Sequence, residues 1–235
     1  SDEARTSALM CAILRAVVER RNRSDPFNDP VSLYRLAMES GTSLDLIQNC
    51  KRFLRFLQKR WGFVHVSAWI KRSATRHTLN AAGATQVCSF PPSRPPEAGI
   101  APDSIILKRL SDAPWFSLSR GDDDFEAVAD PFRYPPGVIA VFALGRIGVL
   151  KVYQAGRDQP FNETELSRLK TLLERFTHSL AVCIAYEQVR HSERRYRSMF
   201  EDSKVAVFMS TPAGRFLEVN RFGTERRGYD RTDLL

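Results

Sequence analysis

The residues of this chain that could do chemistry are few and scattered. His65, Ser67 and Trp69 occupy alternate positions of FVHVSAWI (residues 63–70). A strand there puts an imidazole, a hydroxyl and an indole on one face with Phe63, and Val64, Val66, Ala68 and Ile70 on the other. The aliphatic face suits a covering helix, and the mixed aromatic and polar face is left for another layer. Four cysteines, Cys11, Cys50, Cys88 and Cys183, show no CxxC or CxH spacing, and there are only four histidines. That pattern speaks against a zinc site and for a reducing compartment. Cys50 and Cys183 fall within helical apolar stripes and read as small core hydrophobes, as does Cys11. Asp122, Asp123 and Asp124 with Glu126 form an acidic run without the spaced oxygen ligands and glycine of a calcium loop, so it reads as a solvated loop. No phosphate-binding glycine loop, Ser-His-Asp set or paired-carboxylate arrangement emerges from spacing. No catalytic residue and no metal ligand is therefore assigned.

The whole chain sets bounds on what can position these groups. At 235 residues it has room for one medium domain with appendages. The apolar content of 43% and mean hydropathy of −0.31 are those of an ordinary globular protein. No apolar run approaches the ~18 residues of a membrane-spanning helix, and SALMCAILRAVV near the start is broken by Arg15 and lacks the features of a signal peptide. The net charge of +8 comes from cations interspersed with acids on helices (KRFLRFLQKR, RHSERRYR), with no identifiable DNA-reading motif. Solvated helix faces are the expectation, and nucleic acid is an unlikely partner.

Periodicity supplies the elements. Residues 7–21 form an amphipathic pattern ending in a polar linker, and VSLYRLAMES follows Asp29-Pro30 as a second helix. A third helix, capped by Thr42 or Ser43, carries Ile47, Cys50, Leu54, Leu57 and Trp61. Strand 63–70 follows, with RHTLNAAG (76–83) as its expected antiparallel partner and Cys88 in the loop beyond. A Pro-rich loop, a short helix DSIILKRLSDA capped by Asp103, and a short strand WFSL come next. Two strands, VIAVFAL and IGVLKVYQA, are joined by a tight Gly-Arg link. In PFNETEL, Asn162 and Glu165 make a capping box, flanked by Phe161 and Leu166 as a hydrophobic staple. The following helix has a stripe in two phases: Leu166, Leu169, Leu173, Phe176, Leu180 and Cys183, then Val182, Val189 and Tyr196. The first phase should pack on the sheet and the second should seek a partner helix.

This α+β layout resembles a GAF domain over about residues 30–190, most closely in IGVLKVYQAGRDQPFNETELSRLKTLLERFTHSLAVCIAYEQV and in the first strand FVHVSAWI. Separately, RYRSMFEDSKVAVFMSTPAGRFLEVNRFGTERRGYDRTDLL is similar to the start of a PAS domain. The expected organisation is an N-terminal helix and linker (1–29), a GAF-like antiparallel sheet flanked by helices (30–185), a coiled-coil-type connecting helix (186–200) and an incomplete PAS-like segment (201–235). Lacking the rest of a PAS fold, that tail is expected to be poorly ordered or to borrow contacts from a neighbour.

The resemblance implies a cytoplasmic sensory module of a bacterial multidomain protein, not an enzyme in itself. It would form a homodimer through Val182, Val189 and Tyr196 and pass a signal to a PAS domain and a downstream output domain. It also implies a small-molecule site between one sheet face and the long loops, with His65, Ser67, Trp69, His77, Trp115, Phe132 and Tyr134 as candidate lining. A ligand-free dimerisation scaffold is the alternative. The ligand is left unknown. No covalent chromophore is expected, because the motifs that accompany a bilin-bearing cysteine are not visible around Cys88. A methionine sulfoxide reductase reading would need a reactive Cys88 with a resolving thiol nearby.

Overall fold

Asp45 starts the first helix, α1 (Leu46–Trp61), by accepting a hydrogen bond from the Gln48 N–H (2.9 Å). Ser43 stands one step back, its hydroxyl accepting from the Asp45 N–H (3.1 Å), so the cap expected at Thr42 or Ser43 falls on Asp45 instead. At the other end Gly62 takes the left-handed conformation (φ 69°) and returns its N–H to the Gln58 carbonyl (2.8 Å). Lys59 and Arg60 in the last turn complement the helix dipole. The buried stripe is Leu46, Cys50, Phe53, Leu54, Leu57 and Trp61, whereas Ile47 is 49% exposed and lies off it.

The computed structural model of the chain describes residues 43–71, 83–92, 99–129 and 135–225; the expected helices of residues 7–21 and 31–40 lie outside these. Five antiparallel strands, β1 (His65–Lys71), β2 (Ala84–Phe90), β3 (Trp115–Ser119), β4 (Gly137–Leu144) and β5 (Gly148–Ala155), form one sheet in the order β2-β1-β5-β4-β3. The partner of β1 is thus 84–90 rather than 76–83, and Cys88 lies within that strand opposite Ala68 instead of in a loop. Central β5 pairs with both β1 and β4. A Cβ at Gly148 would come within 2.0 Å of the Trp69 carbonyl oxygen, so the β1–β5 contact there requires glycine.

Antiparallel register assigns each side chain to a face. Val66, Ala68, Ile70, Leu150, Val152, Ala140 and Phe142 share the face covered by α1 and by a long helix, α4 (Glu163–Glu201). Phe53 of α1 stacks on Phe176 of α4 with centroids 3.8 Å apart and ring planes within 7°. Leu166, Leu169, Leu173, Phe176, Leu180 and Cys183 are all buried, as the first phase of the stripe requires. Two short helices, α2 (Ile105–Asp112) and α3 (Phe125–Val128), lie on the opposite side, where Ile106, Phe125 and Val128 close over Trp69, Ile139, Val141, Val149 and Tyr153. Ser104, not Asp103, caps α2. The two-residue alternation begins only at His65: Val64 packs towards the α2/α3 side, and Phe63 lies against Trp61 and Phe161.

The start of α4 is fastened at several points. Asn162 and Glu165 exchange side-chain to backbone hydrogen bonds (both 2.9 Å), completing the capping box. Arg157 grips the same Glu165 with both terminal nitrogens (2.8 and 2.6 Å) and lies over the Phe161 ring at 4.4 Å. The hydroxyl of Ser117 in β3 accepts from the Phe161 N–H (3.0 Å). Partial burial alone would raise the Glu165 pKa, but the Arg157 hydrogen bonds and charge and the Asn162 N–H outweigh it and hold the carboxyl below its ordinary range.

The chain divides after Cys183 into two compact units. In the second, β6 (Phe208–Ser210) and β7 (Phe216–Val219) form a hairpin-like pair, followed by α5 (Arg221–Glu225). Asn220, fully buried, is its hub. Its amide donates to the Phe200 carbonyl (3.0 Å) and the Val205 carbonyl (2.9 Å), and its oxygen accepts from the Val207 and Gly223 N–H groups (both 3.0 Å). The tail up to Glu225 therefore has its own side-chain framework; residues 226–235 lie outside the described residues.

Two outcomes are expected. Glu165→Gln keeps the reach of the capping box but loses the charge-assisted pair with Arg157, and should destabilise the first unit by about 1–2 kcal/mol at neutral pH. Because the folded pKa of Glu165 is depressed, its contribution is full above the ordinary value of 4.5 and is lost as pH falls through the folded value. Denaturant melts at pH 7 and pH 3 check this: the gap between wild type and variant should close at the lower pH. Asn220→Ala strands several buried backbone groups at about 1–3 kcal/mol each, so amide exchange at Val207 and Gly223 should accelerate while that of β4 and β5 does not change.

Candidate functional site

On the α2/α3 side of the sheet, neighbouring strands place unlike groups side by side. Ser89 of β2, Ser67 of β1 and Lys151 of β5 stand opposite one another across the sheet, with Val141 of β4 next. On another rung of the same face, His65 faces Tyr153, which faces Ile139. Ser67 is fully buried, and His65, Lys151 and Ser89 are only 3%, 4% and 9% exposed. Buried hydroxyls, an imidazole and an ammonium along one wall are unusual in a sheet core, since each must recover the hydrogen bonds it gave up in water.

Trp69 ties this row together. Its indole N–H donates to the Ser67 hydroxyl (2.9 Å), and the Lys151 ammonium sits 5.0 Å from its ring centroid. A desolvated cation over an indole gains about 2 kcal/mol, which offsets part of the several kcal/mol that burying an ammonium costs. Tyr153 closes one end: its hydroxyl donates to the Pro135 carbonyl (2.6 Å), its ring meets Phe125 edge-on, and burial raises its pKa against the opposing effect of Arg120. Arg109 of α2 pairs with Asp124 at the start of α3 and lies over Phe116, fixing the two covering helices to β3. The acidic run is likewise occupied, with Asp122 accepting from the Ser119 N–H (2.6 Å) and hydroxyl (3.1 Å).

Of the expected pocket residues, His65, Ser67 and Trp69 share this face. Trp115 does not: it pairs with Phe142 and so projects from the α1/α4 side, and its neighbour Phe116, opposite Val141, occupies the polar-row face instead. His77, Phe132 and Tyr134 lie outside the described residues. Ser89, Lys151 and Tyr153 were not anticipated, although a lysine in the middle of the apolar run GVLKVY was a visible signal. On α4, Val182, Val189 and Tyr196 are 45%, 65% and 43% exposed. Tyr196 is also engaged within its own unit, stacking on Phe200 and donating to a Glu218 carboxylate oxygen (3.0 Å).

The arrangement gathers an ammonium, an imidazole and hydroxyls beneath the α2/α3 cover, beside the apolar Ile139, Val141 and Val149. Among the described residues it holds no activated thiol. The Cys88 thiol points to the other face, and burial raises its pKa despite the opposing charges of Lys51 and Arg55. Burial likewise raises Cys50, helped by Cys88, Cys183 and Asp45. Among the described residues no group of three His, Cys, Asp or Glu side chains could hold a metal ion, and no helix is long and apolar enough to cross a membrane. In a Cys11→Ser variant, the thiols of Cys50, Cys88 and Cys183 should react with Ellman's reagent at pH 8 far more slowly than in denaturing guanidinium. Immediate reaction of one equivalent in the native protein would contradict their assignment as inert core groups.

No protein-family model matches the sequence, and no curated protein is significantly similar to it. Among solved structures, the GAF domain of an Acinetobacter phosphoenolpyruvate-protein phosphotransferase is similar at a TM-score of 0.51 and 16% identity, over 66% of this chain and 93% of that one. The corresponding GAF domain from Coxiella burnetii reaches 0.49 at 13% identity, over 72% and 99%. A free methionine-R-sulfoxide reductase from Neisseria meningitidis reaches 0.47 at 15%, over 65% and 87%. At such identities the likeness is one of fold. The five-stranded antiparallel sheet, its flanking helices and the long helix α4 are a GAF-like α+β fold.

Proposed function

We propose that this chain is the sensory or regulatory input part of a bacterial signal-transduction protein. A small ligand binds on the α2/α3 side of the sheet, and α4 carries the response as one helix of a homodimer towards a PAS-like segment and an output domain. The observation that supports this reading best is the buried row of Ser89, Ser67, Lys151 and His65 beside Trp69. A core built only for stability is better served by apolar residues of similar volume, because a buried charge must be compensated before it contributes anything. Binding chemistry is a reason to retain it. Val182 and Val189 on the solvent side of α4, seven residues apart, suit a second helix. A ligand-free scaffold remains the competing reading, favoured by the internal contacts of Trp69 with Ser67 and Lys151.

A thermal-shift and native mass-spectrometry screen of small polar metabolites separates the two. A true ligand at ~100 times its dissociation constant stabilises the protein by about 2.7 kcal/mol, and Lys151→Met should remove that gain. A screen without any stabilising compound would favour the scaffold. In sedimentation, Val189→Asp should convert a dimer into a monomer; a monomer at every concentration in the unaltered chain would remove the dimer from the proposal.

A further inference from the structure

The α1/α4 side of the sheet carries a concavity, which the polar row does not reach. It lies between the edge strand β3 with the β4–β5 turn and the first half of α4, and has a volume of about 420 Å³. Its lining runs along α4 from Glu163 to Thr177, about four helical turns. Trp115, Phe142, Leu166 and Leu173 make its apolar floor. Phe142, Leu166 and Leu173 are buried, and the apolar surface open to the groove is that of Trp115 with Pro114 and Ala143 beside it. The charged groups on the rim are Glu163 and Glu174 against Lys170, two carboxylates to one ammonium in a chain of net charge +8.

We infer that this groove is a second ligand site, taking a small apolar molecule that bears a single cationic amine. The volume lies in the range of small-molecule sites, about 300–1,000 Å³. An aromatic and aliphatic floor with a sparse polar rim supplies burial for a hydrocarbon body. The partly accessible Trp115 indole offers an ammonium cation–π attraction, and Glu163 or Glu174, at opposite ends of the rim, offers an exposed ion pair. The position gives the site a regulatory role. Its occupant lies along α4 over the turns that carry the buried Leu166 and Leu173, which pack the helix on the sheet, and beside β4, whose Phe142 backs the groove while the adjacent Val141 faces the polar row. One strand and one helix thus border both the groove and the elements that report on it.

The test uses three probes of matched shape and different charge: 4-phenylbutylamine, 4-phenylbutanol and 4-phenylbutyrate. Each is titrated into the full 235-residue chain at neutral pH, following the Trp115 indole N–H by NMR. The amine should give saturable shifts and bind about fivefold tighter than the carboxylate, the scale of one exposed ion pair. Glu163→Gln with Glu174→Gln should erase that difference while retaining weak binding of all three. Ser167→Tyr, an exposed position on the groove wall, should abolish binding of the amine, with circular dichroism unchanged. Lys151→Met should leave amine binding intact, which separates this site from the polar row on the other face. Equal binding of the three probes, absence of saturation, or binding indifferent to Ser167→Tyr would overturn the inference. So would a dimer that Ser167→Tyr makes monomeric, since the groove would then belong to a second copy of the chain.

Discussion

The grip of Arg157 and Asn162 on the Glu165 carboxylate fixes where α4 begins, and much of the first unit depends on that point. A helix advances about 100° per residue, so its first residue sets the direction of every later side chain. With the start fixed, Leu166, Leu169, Leu173, Phe176 and Leu180 reach the sheet in turn, and Phe176 meets Phe53 face to face. A start displaced by one residue would rotate this stripe away from Phe142 and Leu150. Ser117 adds a second constraint by holding the Phe161 amide while donating to the Ile139 carbonyl (3.1 Å), so the helix entry is registered against β3 and β4.

The sheet sorts chemistry by parity. Strand β1 alternates between Val66, Ala68 and Ile70 on the helix-packed side and His65, Ser67 and Trp69 on the other, and its neighbours follow suit. Because β5 is central, Lys151 is walled in by strands on both sides, and its aliphatic stem crosses the core before the ammonium reaches Trp69. Such a group is costly to place and sensitive to its surroundings.

The capping box, the buried stripe of α4 and the two faces of β1 were legible in the sequence because each rests on local spacing. What escaped was set by pairing between distant segments. The partner of β1 could not be chosen between 76–83 and 84–90 by pattern alone, and that choice moved Cys88 from a loop into a strand. Trp115 was misjudged for the same reason: a short strand shows its period but not its register, and one residue of slip exchanges Trp115 with Phe116. Ile47 falls off its stripe because it lies at the edge of the arc that Cys50, Phe53, Leu57 and Trp61 define, and in the first turn Leu46 takes the inward place. Lys151 carried a signal in type, a charge amid valines, that acquires meaning only when Trp69 is found above it.

The side chain of Asn220 holds four partners drawn from three stretches of chain, and one of them is the last turn of α4. Fraying of that turn at Phe200 therefore cannot occur as a private event. Releasing the Phe200 carbonyl leaves a buried amide proton without its acceptor, and the hairpin that Asn220 organises loses part of its own support. The helix end and the hairpin are in this way one cooperative element, in which the winding state of a backbone carbonyl is read out as the presence or absence of a small sheet.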